Sequence, residues 1–492
     1  MSAPLPLFTS DQVRAIDARA LEALGLGAYE LMGRAGAAAW ALVQKRWPDA
    51  RRIVVACGPG NNGGDGYVLA RLARAAGREV LVLFPADAPP VSSDCKRAAA
   101  DWRSAGGTAN PFDGVLPVAD LYVDALFGIG LARPVTGAAQ AMIERINASR
   151  RPVLALDVPS GLDADHGRAG RVHIVADATL AFIVGKRGLH TGQACDVSGD
   201  VQIDGLDVPA SALGGIAPAA FLYRSGNLAR WLAPRHANAH KGEHGHVLCV
   251  GGESGMGGAV RLCAEAALRT GAGLASVATR SEGVAALLSA RPEAMTHAVE
   301  DGAALRVLAD RADVLAVGPG LGRGDWGREL FRAAVECGKP LILDADGINM
   351  LSEHPQPLPQ AILTPHPGEA ARLLGTSNEQ VQADRFQSVE KLAAYFRCVV
   401  VLKGAGTLVA APGETTAVIA AGNPGMATGG MGDVLTGVIA ALHAQKLPPF
   451  QAAVYGALLH GAAGDAAARI DGERGLLPSD LFPHIRRLAN PE

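Results

Sequence analysis

The feature that most constrains this chain is a repeated unit, in which a short apolar run stops at a glycine-rich turn and an amphipathic stretch follows. Ile53-Val54-Val55-Ala56-Cys57 runs into Gly58-Pro59-Gly60-Asn61-Asn62-Gly63-Gly64-Asp65-Gly66, after which Val68, Leu69, Leu72 and Ala76 recur at helical spacing. The same rhythm returns where Val247-Leu248-Cys249-Val250 meets Gly251, where Val314-Leu315-Ala316-Val317 meets Gly318-Pro319-Gly320-Leu321-Gly322, and where Val399-Val400-Val401-Leu402 meets Lys403-Gly404-Ala405-Gly406-Thr407. Short runs that are apolar throughout read as strands buried on both faces. With helices between them they call for parallel sheets built from right-handed crossovers, an α/β chain.

At 492 residues the chain exceeds one ordinary core. The stretch 205–220 is rich in Ala, Gly and Pro, which puts a boundary near residue 222 and yields two expected domains, 1–221 and 222–492. The first reads as a Rossmann-like doubly wound domain. Sixty-one glycines with only 4% aromatics suit tight strand-to-helix turns and not a protein that stacks on nucleic-acid bases. A net charge of -3 without a basic run leaves phosphate recognition to local loops, so no nucleic-acid partner is expected. Seven scattered cysteines, none in a Cys-x-x-Cys pair, read as reduced core thiols. Every long apolar run is soon broken by Arg, Glu or Gly, so no membrane partner and a cytoplasmic location are expected.

Local signals place the candidate chemistry. Thr9-Ser10-Asp11-Gln12 is a capping box opening a helix through Leu24, and residues 28–47 read as a second helix. Asn61, Asn62 and Asp65 add polar groups to the first glycine turn that a mere turn would not require. Leu121-Tyr122-Val123-Asp124 runs into Ala125-Leu126-Phe127-Gly128-Ile129-Gly130, and Val153-Leu154-Ala155-Leu156-Asp157 into Val158-Pro159-Ser160-Gly161. Ligands of open parallel sheets bind at strand carboxyl ends, where these loops converge. Asn62, Asp124 and Ser160 are hard oxygen ligands, suited to an alkali or alkaline-earth cation rather than zinc. Asp157 has no basic residue near it in sequence and is the candidate for proton transfer. Lys186 could bind phosphate, though by default it reads as a solvated lysine.

In the second half, Leu341-Ile342-Leu343-Asp344-Ala345-Asp346 and Thr364-Pro365-His366-Pro367-Gly368-Glu369 are further strand-end positions, with His366 stiffly aimed between prolines. Residues 403–407 offer N–H groups, a point charge and a hydroxyl, which a nucleotide phosphate wants, although the loop is not a Walker motif. Thr428-Gly429-Gly430-Met431-Gly432-Asp433 then delivers a carboxylate to a helix start. Taken alone, Asp433 is as well read as an N-cap as a catalytic acid. The neighbouring phosphate loop favours catalysis.

Gly60-Asn61-Asn62-Gly63-Gly64-Asp65-Gly66 and Asp157-Val158-Pro159-Ser160-Gly161 resemble the NAD(P)H-hydrate epimerase family. His240-Lys241-Gly242, Gly255-Met256-Gly257-Gly258-Ala259, Thr364 to Glu369, Lys403 to Thr407 and Gly429-Gly430-Met431-Gly432-Asp433 are similar to the ADP- or ATP-dependent NAD(P)H-hydrate dehydratases, a ribokinase-like α/β fold. Their tandem order is that of the bifunctional NAD(P)H-hydrate repair enzymes of bacteria. The resemblance implies that Asn61, Asn62, Gly63, Gly64, Asp65, Gly128, Ile129, Gly130, Leu131, Ala132, Arg133, Pro134 and Asp157 hold the hydrated cofactor, with potassium (K+) on Asn62, Asp124 and Ser160. For the second domain it implies hydrated-cofactor contacts at Ala259, Gly320, His366 and Asp433. The adenine nucleotide, ADP or ATP with Mg2+, would lie on Lys403, Gly404, Ala405, Gly406, Thr407 and Gly432. It further implies that Asp433 deprotonates the substrate hydroxyl as it attacks the donor phosphoryl, that phosphate then leaves, and that Asp157 shuttles the proton that interconverts the R and S hydrates. A homo-oligomer is expected. The competing reading is a ribokinase-like small-molecule kinase with a regulatory cofactor-binding domain, which would release a stable phosphorylated product.

Overall fold

The structure is a computed structural model that describes residues 3–131, 133–230 and 234–490. The chain folds into two compact units, Pro6–Ala220 and Phe221–Glu492.

In the first unit seven strands form one parallel sheet in the spatial order Ala109–Pro111, Glu79–Phe84, Arg52–Cys57, Leu121–Ala125, Val153–Leu156, Ala178–Phe182 and Asp200–Asp204. The chain starts at Arg52–Cys57, winds outward one way, then returns to wind the other way from Leu121–Ala125. The switch point therefore lies between those two strands, and the ends of both reach the residues flagged in the sequence. The first helix, Ser10–Leu24, opens on the expected capping box: Thr9 Oγ1 accepts from Gln12 N, and Gln12 Oε1 accepts from Thr9 N. The second spans Ala28–Arg46.

One element differs from its sequence reading. The turn after Arg52–Cys57 ends at Gly60, and the helix already begins at Asn61, running Asn61–Ala75. Gly63 and Gly66 are therefore helical residues, and contact rather than turn geometry explains them. A Cβ on Gly63 would stand 2.0 Å from Gly58 O, and one on Gly66 would stand 2.6 Å from the Ala125 Cβ. The helix lies so close to the sheet that only hydrogen fits there.

In the second unit seven parallel strands run in the order Met295–Ala298, Leu274–Thr279, His246–Val250, Val314–Val317, Leu341–Leu343, Ala361–Leu363 and Val399–Leu402. Thr407–Ala410 and Ala417–Ile419 extend the sheet antiparallel, and Ala220–Tyr223 pairs in parallel with Ala417–Ile419. Here the switch point falls between His246–Val250 and Val314–Val317. The helix Met431–Ala444 is buried on nearly every side and belongs to the main core of this unit together with Val260, Cys263 and Leu458. A helix apolar all round packs centrally, so its first turn opens at the strand ends and not at a free surface.

Five of the seven cysteines are buried free thiols, as expected. Cys195 is exposed and Cys337 half-buried, so these two are not core residues. Among the described residues, no helix is long and apolar enough to cross a membrane.

Candidate active sites

The first unit holds a cavity of about 900 Å³ at its switch point. The expected contacts Asn61, Asn62, Asp65, Gly128, Ile129, Gly130, Leu131, Arg133, Pro134 and Asp157 all line it. Gly63 and Gly64 do not; they are buried in the helix behind the wall. Ala132 lies outside the described residues.

Asp157 ends its strand with φ 67°, a left-handed conformation that aspartate tolerates and that turns the carboxylate out of the sheet. It does have a basic partner. Lys186, fully buried and far in sequence, places Nζ 2.5 Å from Asp157 Oδ1 and 2.8 Å from Phe182 O. The reading of Lys186 as a solvated lysine is thus overturned, because the parallel pairing of Leu7 and Phe8 with Gly185 and Lys186 draws it inside. Other carboxyls line the same cavity. Burial, reinforced by Asp157 and Asp17, pushes Asp65 well above the usual carboxylate range. Burial likewise raises Asp17 to about 6, against the pull of Lys186.

Asp124 and Ser160 meet beneath the cavity floor. Asp124 is wholly buried and accepts from Ser160 Oγ at 2.6 Å, Ser160 N at 2.8 Å and Leu126 N at 3.2 Å; burial still raises it to about 6. Neither Oδ1 nor Nδ2 of the buried Asn62 amide has a hydrogen-bond partner. An orphaned amide oxygen is costly unless something electropositive meets it.

In the second unit the strand-end loops lock together. Gly252 N and Glu253 N donate to Gly320 O at 2.8 and 2.7 Å. A Cβ on Gly320 would lie 3.3 Å from the Ala259 Cβ, so these two expected contacts are adjacent. The next loop joins them through Gly322 N, which donates to Asp346 Oδ2 at 2.9 Å. At the centre is Asp344, 2% exposed, which accepts from Lys403 Nζ at 2.6 Å, Thr364 Oγ1 at 2.9 Å and Thr436 Oγ1 at 3.0 Å. Burial alone would raise Asp344, but Lys403 and these donors hold it below the usual range. Lys403 is therefore not a free point charge; Asp344 holds it, with Glu369 at 3.8 Å.

Asp433 occupies the third position of Met431–Ala444, while Gly430, at φ 92°, is the N-cap. The N-cap reading of Asp433 fails on this geometry. Gly432 stands directly over the ion pair, since a Cβ there would be 3.3 Å from both Asp344 Oδ2 and Lys403 Nζ. Burial, then the negative charge of Asp344, raises Asp433 to about 7 in spite of Lys403. A carboxyl poised at that value can take a proton from a hydroxyl near neutrality.

His366 caps the helix Pro367–Leu374: its Nδ1 accepts from Gly368 N at 3.0 Å and Glu369 N at 3.3 Å. Its stiffness comes from that cap as well as from the flanking prolines. Arg385, almost wholly buried, donates to Leu402 O and Lys403 O and so braces the start of the 403–407 turn.

The sequence reading attached no role to Asp17, Thr436 or Arg385, and marked Asp344 only as a strand-end position. Asp17 carried a signal. It falls four residues after buried Val13 and three before buried Ala20, a carboxylate on the apolar face of its helix.

Comparison with known proteins accords with this division. The family profile described as NAD(P)H-hydrate dehydratase matches residues 247–487, and the one described as YjeF-related protein N-terminus matches residues 28–188. A curated Escherichia coli protein named bifunctional NAD(P)H-hydrate repair enzyme is 44% identical over 493 residues, covering 100% of this chain and 95% of the relative. The chain belongs to the bifunctional NAD(P)H-hydrate repair enzymes. A Coxiella burnetii relative of the same name is also 44% identical, across 99% of both chains. Among solved structures, a ribokinase-like superfamily protein from Enterococcus faecalis is similar at a TM-score of 0.52 and 28% identity, over 55% of this chain and 95% of that one. A Streptococcus mutans protein is similar at 0.51 and 32% identity, over 55% and 98%. The family is one of enzymes with two activities, an NAD(P)H-hydrate epimerase and an NAD(P)H-hydrate dehydratase, and the second unit is ribokinase-like.

Proposed function

We propose that the chain restores hydrated NADH and NADPH by the following division of labour, with the epimerase in residues 1–221 and the dehydratase in 222–492. The observation that carries the second half is Asp433, held near neutrality on the first turn of a central helix and beside the Lys403–Asp344 pair. Asp433 takes the proton of the substrate hydroxyl as that oxygen attacks the terminal phosphoryl of ADP or ATP. Magnesium arrives as part of the nucleotide. Backbone N–H groups at the helix start and the 403–407 turn bind the donor, as does Gly432. Ala259, Gly320, His366 and Asp433 face the hydrated cofactor. Hydroxide is a poor leaving group and phosphate a good one, so the ring nitrogen can then expel phosphate, and loss of a proton from the adjacent ring carbon to solvent water restores the C=C bond of the reduced ring.

This geometry serves one configuration at the hydroxylated carbon, taken as the S hydrate. The first unit supplies the other configuration by epimerisation over Asp157, with the substrate seated against Asn61, Asn62, Asp65 and residues 128–134, while glycines 63 and 64 let the helix pack behind that wall. The residues there fit a potassium ion: Asn62 has an orphaned buried carbonyl oxygen, and Asp124 with Ser160 presents further oxygens. Bound there, K+ would offset the buried negative charge of Asp124 and satisfy Asn62. Replacing K+ by a bulky quaternary ammonium should reduce epimerisation and leave dehydration unchanged. A cytoplasmic homo-oligomer completes this reading; sedimentation reads its assembly.

The deciding experiment gives the full chain a mixture of both hydrate epimers with ADP or ATP. The expected result is complete recovery of reduced-cofactor absorbance with release of one phosphate per cofactor. A stable phosphorylated product without that recovery would favour an ordinary kinase.

A further inference from the structure

We propose that Asp17, on the helix Ser10–Leu24, is the proton donor of the epimerase, acting across the first-unit cavity from the Asp157–Lys186 pair. The proposal rests on the assignment of epimerisation to this cavity and names a second group for it.

Epimerisation at a hydroxyl-bearing carbon beside a ring nitrogen needs two kinds of proton chemistry. As the C–O bond breaks, the nitrogen lone pair forms the C=N bond, and the departing oxygen must gain a proton to leave as water. A water then adds to the opposite face of the same carbon and must lose a proton. No electrons are exchanged with any other group. The proton lost from the donor equals the proton gained by the base, and cavity water returns it. The site therefore needs one carboxyl that is protonated and one that is not, presented from different walls.

The cavity provides that pair. Asp157 comes from the strand ends with an ammonium bonded to it at 2.5 Å, so its carboxylate is the acceptor. Asp17 comes from the helix that forms another wall, together with Val13, Arg14 and Leu21. Beyond Ser10 at its start, the inward face of that helix is otherwise apolar, with Val13, Ile16 and Ala20 buried. A carboxyl on such a face is excluded from water on its own side and meets the cavity on the other. The charged groups acting on it are Lys186 and Arg14, which favour its ionised form, and Asp157, which opposes it. Burial outweighs them all and leaves Asp17 titrating at about 6, close enough to neutrality to give up and regain a proton in each cycle. Asp65 is the rival donor. It is more deeply buried, on the helix Asn61–Ala75, and burial with its carboxyl neighbours pushes it well above the usual carboxylate range, which suits a hydrogen-bond donor to substrate better than an acid that cycles.

The test uses the full chain, the epimer mixture of hydrated NADH, and ADP with magnesium, following the two phases of absorbance recovery separately. For Asp17→Asn the slow phase, which reports conversion of the R hydrate, should fall by at least about 100-fold in rate, while the fast dehydration phase stays unchanged and the thermal unfolding midpoint does not fall. Asp17→Glu should restore part of the slow phase. In the wild type the slow phase should decline as pH rises above about 6, the value at which Asp17 loses its proton, and in Asp17→Asn this decline should vanish. Retention of the slow phase within about threefold of wild type would overturn the proposal, as would an unaltered pH profile or a loss confined to Asp65→Asn. If the wild type itself shows no slow phase beyond the uncatalysed rate, the assignment of epimerisation to this cavity fails instead, and the two failures are thus distinguishable.

Discussion

Asp433 and the groups around it show how a few side chains set both activity and stability. Because Asp433 must be ionised to take the hydroxyl proton, dehydration should rise with pH and level off above about 7. Asp433→Asn should lower turnover by at least about 1,000-fold while equilibrium binding of the nucleotide is largely kept. The same shift works against the fold. The native state holds this proton up to about pH 7, whereas the unfolded chain releases it near 3.8, so the folded state binds more protons between those values and stability falls as pH rises through that window. The loss is at most about 4 kcal/mol. Asp433→Asn should accordingly match the wild type in melting temperature at pH 4 and exceed it at pH 8, which scanning calorimetry would reveal. Asp344 behaves oppositely: paired with Lys403 it stabilises the ionised state of both. Removing its charge in Asp344→Asn leaves Lys403 poorly compensated and should cost about 3–5 kcal/mol in a denaturant melt, with dehydration lost as well. The candidate acid was legible because its motif is local. Its modulator was not, because Asp344 and Lys403 are 59 residues apart and meet only when adjacent loops converge.

At the scale of elements, the helix Asn61–Ala75 is the most informative, since its glycines invite a wrong inference. Helix propensity favours Ala over Gly by about 1 kcal/mol, so Gly63→Ala would be stabilising if the residue were merely helical. Contact reverses the sign. A methyl 2.0 Å from the Gly58 carbonyl oxygen forces the helix away from the turn, and the expected cost is about 3 kcal/mol or more, with the cavity wall displaced and epimerisation lost. Gly60→Ala is the control for stability: φ is -96° and nothing lies within 4 Å of its would-be Cβ, so the change should cost less than about 1 kcal/mol in urea unfolding. The apolar strand runs and the limits of the first two helices were readable from local pattern, and Thr9 and Gln12 set the start of Ser10–Leu24 by local hydrogen bonds. The onset of Asn61–Ala75 was not readable. A run of glycines looks like a turn from within the sequence, and what makes glycine obligatory there is close packing: of Gly63 on the Gly58 carbonyl as the turn folds back, and of Gly66 on Ala125 of a strand distant in the chain.

For the molecule as a whole, two switch points in two sheets give two sites, and the division of labour between them can be separated by substitution. With an epimer mixture and nucleotide, Asp157→Asn should recover absorbance only up to the S fraction plus whatever converts without catalysis, while Asp433→Asn should recover none; incomplete recovery by the wild type would count against the pairing of activities. The order of apolar runs, glycine turns and amphipathic stretches determined by itself that the chain is α/β with parallel sheets, because strand burial and crossover handedness are consequences of local pattern and chain chirality. The same local pattern marked Asn62, Asp124, Asp157 and Asp433 as strand-end and helix-start groups. Only the tertiary structure decided their chemistry. It brought Lys186 under Asp157, turned Asp17 into the same cavity, and set Asp344 against Lys403 beneath Gly432. Charge, desolvation and proton affinity depend on what lies within a few ångströms in space, and those neighbours come from distant parts of the chain.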